Sequence, residues 1–211
     1  LRSCPDIVLR AVSKEQFAIN YASDVLFRNR EFVLSVVRLT GHALAYITST
    51  ELRSDVLIVC EAVSRYGNAL RYVAPCFSDD PYIVTAAVKQ SPFAFMYAST
   101  RLRNDRSFVL SLVSEVGYAL MHAPRFHNDR EIVKAAVLQN GLVLVYISPH
   151  YRYDHEIVTL AIYQNRRVSI VLPPDRRGRY RRMGPKETRI LLSRRLPDDV
   201  IDCILPWCYA Y

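Results

Sequence analysis

Hydrophobic positions recur along this chain with a period far longer than a helix turn. A Val stands at Val8, Val33, Val59, Val84, Val109, Val133 and Val158, at steps of 25, 26, 25, 25, 24 and 25 residues. Around each Val the same columns return. Three residues on come Ala11, Val36, Ala62, Ala87, Leu112, Ala136 and Ala161. Four on come Val12, Val37, Val63, Val88, Val113, Val137 and Ile162. Positions i, i+3 and i+4 share one face of an α-helix, so each set predicts a short amphipathic helix with a small residue at a close contact.

Four residues before the Val stand Asp55, Asp80, Asp105, Asp129 and Asp154. An Asp there caps the free N–H groups of a helix start and suits its positive end. Eight residues after the Val come Gly41, Gly67, Gly117 and Gly141, with Gln16, Pro92 and Arg166 in the other units. Gly at this point predicts a left-handed residue ending the helix, and Pro stops a helix as well. A second, shorter helix follows, with Ala18, Ala43, Ala69, Ala94 and Ala119, then Leu44, Leu70, Leu120 and Leu144, then Tyr21, Tyr46, Tyr72, Tyr97 and Tyr146. The Tyr column is read as core packing with hydroxyls reaching loop partners. A loop of Ser, Pro and charged residues leads to the next Asp.

The expected fold is therefore all-α: a right-handed or superhelical α-solenoid of about seven ~25-residue helix-turn-helix repeats over residues 1–172. One unit buries too little apolar surface to stand alone, so stacking on its neighbours must supply the rest. A basic linker over 173–195 and a C-terminal helix over 196–211 complete the expected organisation.

At this point the residues resemble a family. Asn-Asp-Arg-Glu-Ile-Val-Lys-Ala-Ala-Val-Leu-Gln-Asn-Gly over 128–141 and Arg-Asn-Asp-Arg-Ser-Phe-Val-Leu over 103–110 are similar to the repeat known as domain of unknown function 4116. That repeat is found in protists, algae and large DNA viruses. The resemblance covers roughly residues 4–172 and implies a helical repeat fold without implying a reaction. The first unit, with Cys4 in the cap column, and the last, with Arg166 in the Gly column, depart from the pattern as terminal units often do.

Charge changes the picture at one end. The net charge is +8, and +7 of it lies between Pro173 and Arg195. Arg176, Arg177, Arg179, Arg181 and Arg182 form the densest run. Such a run suits an RNA or acidic-surface contact through 176–195. The near-neutral body lacks the basic face that a nucleic-acid-reading array would carry in every repeat.

Beyond it, Leu196, Pro197, Val200, Ile204 and Leu205 fall in Leu-Pro-Asp-Asp-Val-Ile-Asp-Cys-Ile-Leu. Pro at a first helical position followed by acids predicts a helix start. The segment either covers the end of the array or resembles a truncated F-box. The F-box resemblance implies a Skp1-like adaptor as partner.

Candidate chemistry is sparse. The five histidines His42, His122, His127, His150 and His155 share no ligand spacing, so no metal site is expected. Five scattered cysteines do not make a disulfide framework, and buried free thiols are expected instead. No phosphate loop or nucleophile elbow is present, so no catalytic residue and no cofactor is nominated. No apolar run reaches the ~20 residues of a membrane span. The chain starts at Leu1, not Met, with no signal-peptide pattern there.

These features point to a non-enzymatic, intracellular helical-repeat scaffold for protein-protein interaction. Its expected place is cytoplasmic, with a virion or organelle as the other settings. Two other functions stay open. One is an F-box-like substrate adaptor of a cullin ubiquitin ligase. The other is a structural subunit of a large viral or organellar assembly held by its Arg-rich tail. The partner-specific surface is expected at outward positions that vary between units: Lys14, Leu39, Arg65, Gln90, Glu115, Gln139 and Gln164.

Overall fold

The structure, a computed structural model, describes residues 2–165, 167, 168, 172 and 173. The expected basic run and the F-box-like helix lie outside the described residues. The described chain is all-α. It divides into two compact units, Leu1–Phe108 and Val109–Tyr211.

Every repeat opens with an α-helix of ten residues: Pro5–Lys14, Arg30–Leu39, Val56–Arg65, Pro81–Gln90, Arg106–Glu115, Arg130–Gln139 and His155–Gln164. The start is set by the cap. Asp55 Oδ1 accepts from the Leu57 and Ile58 N–H groups at 3.0 and 3.2 Å. Asp80, Asp129 and Asp154 do the same for their helices. Asp105 Oδ1 accepts from the Phe108 N–H at 3.0 Å. In the second unit of the array Asn29 fills the role, accepting from Glu31 and Phe32. Cys4 makes no such bond, and Pro5 at the first helical position needs none there.

None of these helices ends on a left-handed residue, and the residue that follows is extended in all but Arg106–Glu115. Tyr66, for example, has φ −144°, and its N–H returns to the Ala62 carbonyl. Among the described residues no residue has positive φ, glycines included. The expected left-handed Gly is thus corrected. Gly41, Gly67, Gly117 and Gly141 are the first residues of the element that follows.

That element is a 3-10 helix, Gly41–Tyr46, Gly67–Tyr72 or Pro92–Tyr97 for instance. With three residues per turn, residues i and i+3 align. Leu44 and Ile47 are three apart and both fully buried. The Tyr column is less buried than expected. Tyr46 is half-buried and its hydroxyl donates to Asn20 Oδ1, while Tyr21 and Tyr146 are exposed.

The expected loop before each cap is itself helical. It forms the short turns Leu26–Arg28, Thr50–Arg53, Pro75–Ser78, Thr100–Asn104, Pro124–Phe126 and Pro149–Arg152. Ser49 and Ser99 cap two of them, accepting from Leu52 and Leu102.

Within each unit, like packs on like in chain order. In Leu1–Phe108, the helix Arg30–Leu39 packs on Val56–Arg65, which packs on Pro81–Gln90; the 3-10 helices Gly41–Tyr46, Gly67–Tyr72 and Pro92–Tyr97 follow suit. In Val109–Tyr211, Arg130–Gln139 packs on His155–Gln164 and Gly117–His122 on Gly141–Val145. The buried layer is the repeated set: Val33, Val36 and Val37, Ile58, Val59, Ala62 and Val63, Val84, Ala87 and Val88 in the first unit; Ile132, Val133, Ala136 and Val137, Ile157, Val158 and Ala161 in the second.

Candidate interaction surface

Two kinds of bond tie a repeat to the next. The first joins caps. Arg30 Nε donates to Asp55 Oδ2 at 2.6 Å, linking the starts of two successive helices. Arg130 makes the same link to Asp154 and also reaches Glu156 at 2.7 Å, where Lys134 joins it at 2.9 Å. The electrostatics follow. The Arg30 hydrogen bond holds the Asp55 carboxyl below its ordinary range. Burial pushes Asp154 upward, but Arg130 and the capped N–H groups of Ile157 and Glu156 leave it below its ordinary value. Glu156 is held low by Lys134 first and Arg130 second. At Asp55 and Asp154 the cap therefore serves two bonds at once, one within the helix and one between repeats.

The second bond joins turns. The Gly67 N–H donates to Gln90 Oε1 at 2.5 Å, Gly117 to Gln139 at 2.8 Å and Gly141 to Gln164 at 2.7 Å. The same turns approach the following helix closely. A Cβ on Gly117 would stand 2.5 Å from the Ala136 carbonyl oxygen, and at Gly41, Gly67 and Gly141 the Ala62, Ala87 and Ala161 carbonyls block it likewise. Gly is required here by contact, not by backbone angle. Gln90, Gln139 and Gln164 are exposed, as expected of outward positions, and they also brace one repeat to the next. Where Pro92 stands in the Gly column and has no N–H to satisfy, the Gln column of the next unit carries Glu115.

One Gly lacks this brace. After Gly41 the Gln column holds Arg65, and one repeat earlier Gln16 is followed by Leu39. At this place a pocket of about 560 Å³ opens, lined by Gln16, Phe17, Thr40, Gly41, His42 and Arg65 among others. Arg65 is half-exposed and lies 4.0 Å from Glu61, which Arg38 holds closer at 3.2 Å. His42 is fixed by edge-on ring contacts to Tyr46, Tyr66 and Tyr72.

A second concavity of about 460 Å³ lies on the outer side of the helices Val56–Arg65 and Pro81–Gln90, lined by Leu57, Cys60, Glu61, Tyr82, Ile83 and Ala86 among others. Tyr82 is 86% exposed, and Val56 and Leu57 are also open to solvent. The expectation of buried thiols fails here. Cys60 and Cys76 are free and exposed, and Cys4 is intermediate. The cause at position 60 is register, since Cys60 follows the buried Val59 and so turns outward. Partial burial nonetheless pushes its thiol pKa upward, away from the reactive thiolate.

Among the described residues no group of three or more His, Cys, Asp or Glu is placed to hold a metal ion. No helix among them is long and apolar enough to cross a membrane.

No curated protein and no solved structure matches the chain. Residues 29–77, 80–127 and 129–174 each match a family described as a domain of unknown function, DUF4116. Each match spans two of the ~25-residue units, and the series starts at the cap Asn29, one unit later than the resemblance over 4–172 implied. With three tandem copies over most of its length, this chain belongs to the DUF4116 family.

Proposed function

We propose that this protein is a non-catalytic scaffold that holds another protein on its repeats. The observation that carries this reading is the outer surface of the helices Val56–Arg65 and Pro81–Gln90. There Val56, Leu57 and Tyr82 are exposed although the inward columns of both helices are fully used by the core. Leu57 and Tyr82 line a concavity there, and aromatic and aliphatic side chains so placed are the usual anchors of a protein contact. Tyr is well suited, since its ring contributes buried area and its hydroxyl tolerates water.

The test is cross-linking and size analysis of the protein isolated from its native source, compared with Leu57→Asp/Tyr82→Asp. Both side chains are exposed, so the variant should keep its fold. A defined heteromeric species that the variant loses supports the reading. A monomer in both cases defeats it.

A second reading rests on Leu196, Pro197, Val200, Ile204 and Leu205. In it the repeats hold a substrate while the terminal helix docks on a Skp1-like adaptor. Binding of the adaptor that Leu196→Asp/Ile204→Asp abolishes supports it, and equal recovery of both chains ends it.

A further inference from the structure

The pocket beside Gly41 is the place where the repeat's own bonding pattern is interrupted. At the three sister turns a side-chain carbonyl oxygen meets the Gly N–H, supplied by Gln90, Gln139 or Gln164. At Gly41 the residue in that column is Arg65, which donates and cannot accept. Among the described residues no acceptor meets the Gly41 N–H, although Gly41 itself is buried. The preceding turn is also unbraced, since Leu39 stands in its Gln column. Two successive interruptions leave the concavity of about 560 Å³, a size that suits a side chain and its flanking backbone.

The chemistry of the walls selects the occupant. An N–H left without a protein acceptor on the wall of a pocket favours an occupant that supplies one. Arg65 adds a positive charge with a planar fork, which favours a carboxylate over a carboxamide. Its own acid, Glu61, is already held more closely by Arg38. Phe17, 66% exposed, forms an apolar wall for the rest of an incoming chain.

We propose that this pocket takes an acidic side chain of a partner polypeptide, its carboxylate accepting from the Gly41 N–H and pairing with Arg65. The proposal rests on the scaffold reading above and names the chemistry of one contact. It uses residues other than Leu57 and Tyr82, so the two can fail separately.

The experiment follows the Gly41 amide by NMR on the whole chain. The probes are the blocked tripeptides Ac-Ala-Glu-Ala-NH2, Ac-Ala-Gln-Ala-NH2 and Ac-Ala-Ala-Ala-NH2, with acetate as the free carboxylate. The expected result is a saturable downfield shift of Gly41 with the Glu peptide, at least about tenfold tighter than with the Gln peptide or acetate, and none with the Ala peptide. Arg65→Gln restores the residue of the sister turns and closes the site from within, so it should abolish the response while keeping the helical spectrum. Arg65→Ala leaves the N–H open and should weaken binding about tenfold or more. No saturable shift up to about 10 mM Glu peptide overturns the proposal. So does an unchanged response in Arg65→Gln. Acetate binding as tightly as the Glu peptide overturns the polypeptide partner in favour of a free carboxylate.

Discussion

The Gln164 carboxamide is bonded at both ends across the same junction: its Oε1 accepts from the Gly141 N–H at 2.7 Å and its Nε2 donates to the Gln139 carbonyl at 3.0 Å. A side chain satisfied in this way fixes the offset between two repeats. Removing it leaves a part-buried donor unpaired. Gln164→Ala should therefore lower the free energy of unfolding by about 1–3 kcal/mol in urea titrations. Gln164→Met keeps the bulk and loses both bonds. It should cost nearly as much, and a neutral Gln164→Met would show that packing alone holds the junction.

The Gly column gives a sharper test. Gly67 has no positive φ, so replacing it with Ala carries no backbone penalty. Its new Cβ would meet the Ala87 carbonyl oxygen, which is backbone and cannot swing aside. Gly67→Ala should destabilise by about 1–3 kcal/mol. A gain of about 0.4–1 kcal/mol is the outcome expected if chain entropy alone mattered at this turn. Thermal or urea unfolding separates the two signs.

The caps differ in what else they hold. Asp80 accepts from Tyr82 and Ile83, and its loss to Ala should cost about 1 kcal/mol. Asp55 makes the same two bonds and also receives Arg30. Asp55→Ala should cost more than Asp80→Ala, by the modest amount a largely exposed ion pair contributes. The background Arg30→Ala should remove that excess, which a double-mutant cycle measures directly.

These carboxylates also set the response to acid. Asp55, Asp154 and Glu156 all have folded pKa values below their ordinary ones. Asp79 does too, held by Ser99 first and Arg101 second. In each case the unfolded chain binds more protons over the window between the two values, so stability rises with pH there. The contribution is complete above the ordinary carboxylate range, about pH 4–5, and is lost as pH falls through the lower folded values. The melting temperature should be flat from neutral pH to about 5 and fall below it. Asp79→Asn and Asp55→Asn should each flatten that acid limb, and an unchanged limb in both would remove these pairs from the account.

The elements that the sequence made legible are those whose cause is local. An Asp caps amide groups two and three residues ahead, so Asp55 and Asp129 announce their helices within one short stretch. The Val, Ala and Val columns show the buried face because they sit inside one helix. What acts between repeats was harder to read. The Gly column stood at the right positions for the wrong reason, because the Ala87 carbonyl that forbids a side chain on Gly67 is 20 residues away. Gln90, Gln139 and Gln164 do face solvent, but their role as braces was hidden, because their partners Gly67, Gly117 and Gly141 lie 22 or 23 residues earlier. The pairing was nonetheless written in the columns, since Gln follows Gly at three junctions and Glu115 follows Pro92. The pocket beside Gly41 follows from the exception, and only knowledge of that pairing makes Arg65 stand out.

The turn brace also constrains how such a chain can lengthen or shorten over evolutionary time. Donor and acceptor belong to different repeats: Gln139 accepts from the repeat before it, and Gly141 in the same repeat donates to the one after. Excising or copying a block preserves the matching if it is cut in phase with the repeat and its two ends agree in kind. A cut that sets a Gln after a Pro, or an Arg after a Gly, leaves a mismatched seam. Gly41 and Arg65 form such a seam, and a seam that stays open to solvent is where a new partner can be recruited without disturbing the rest of the array.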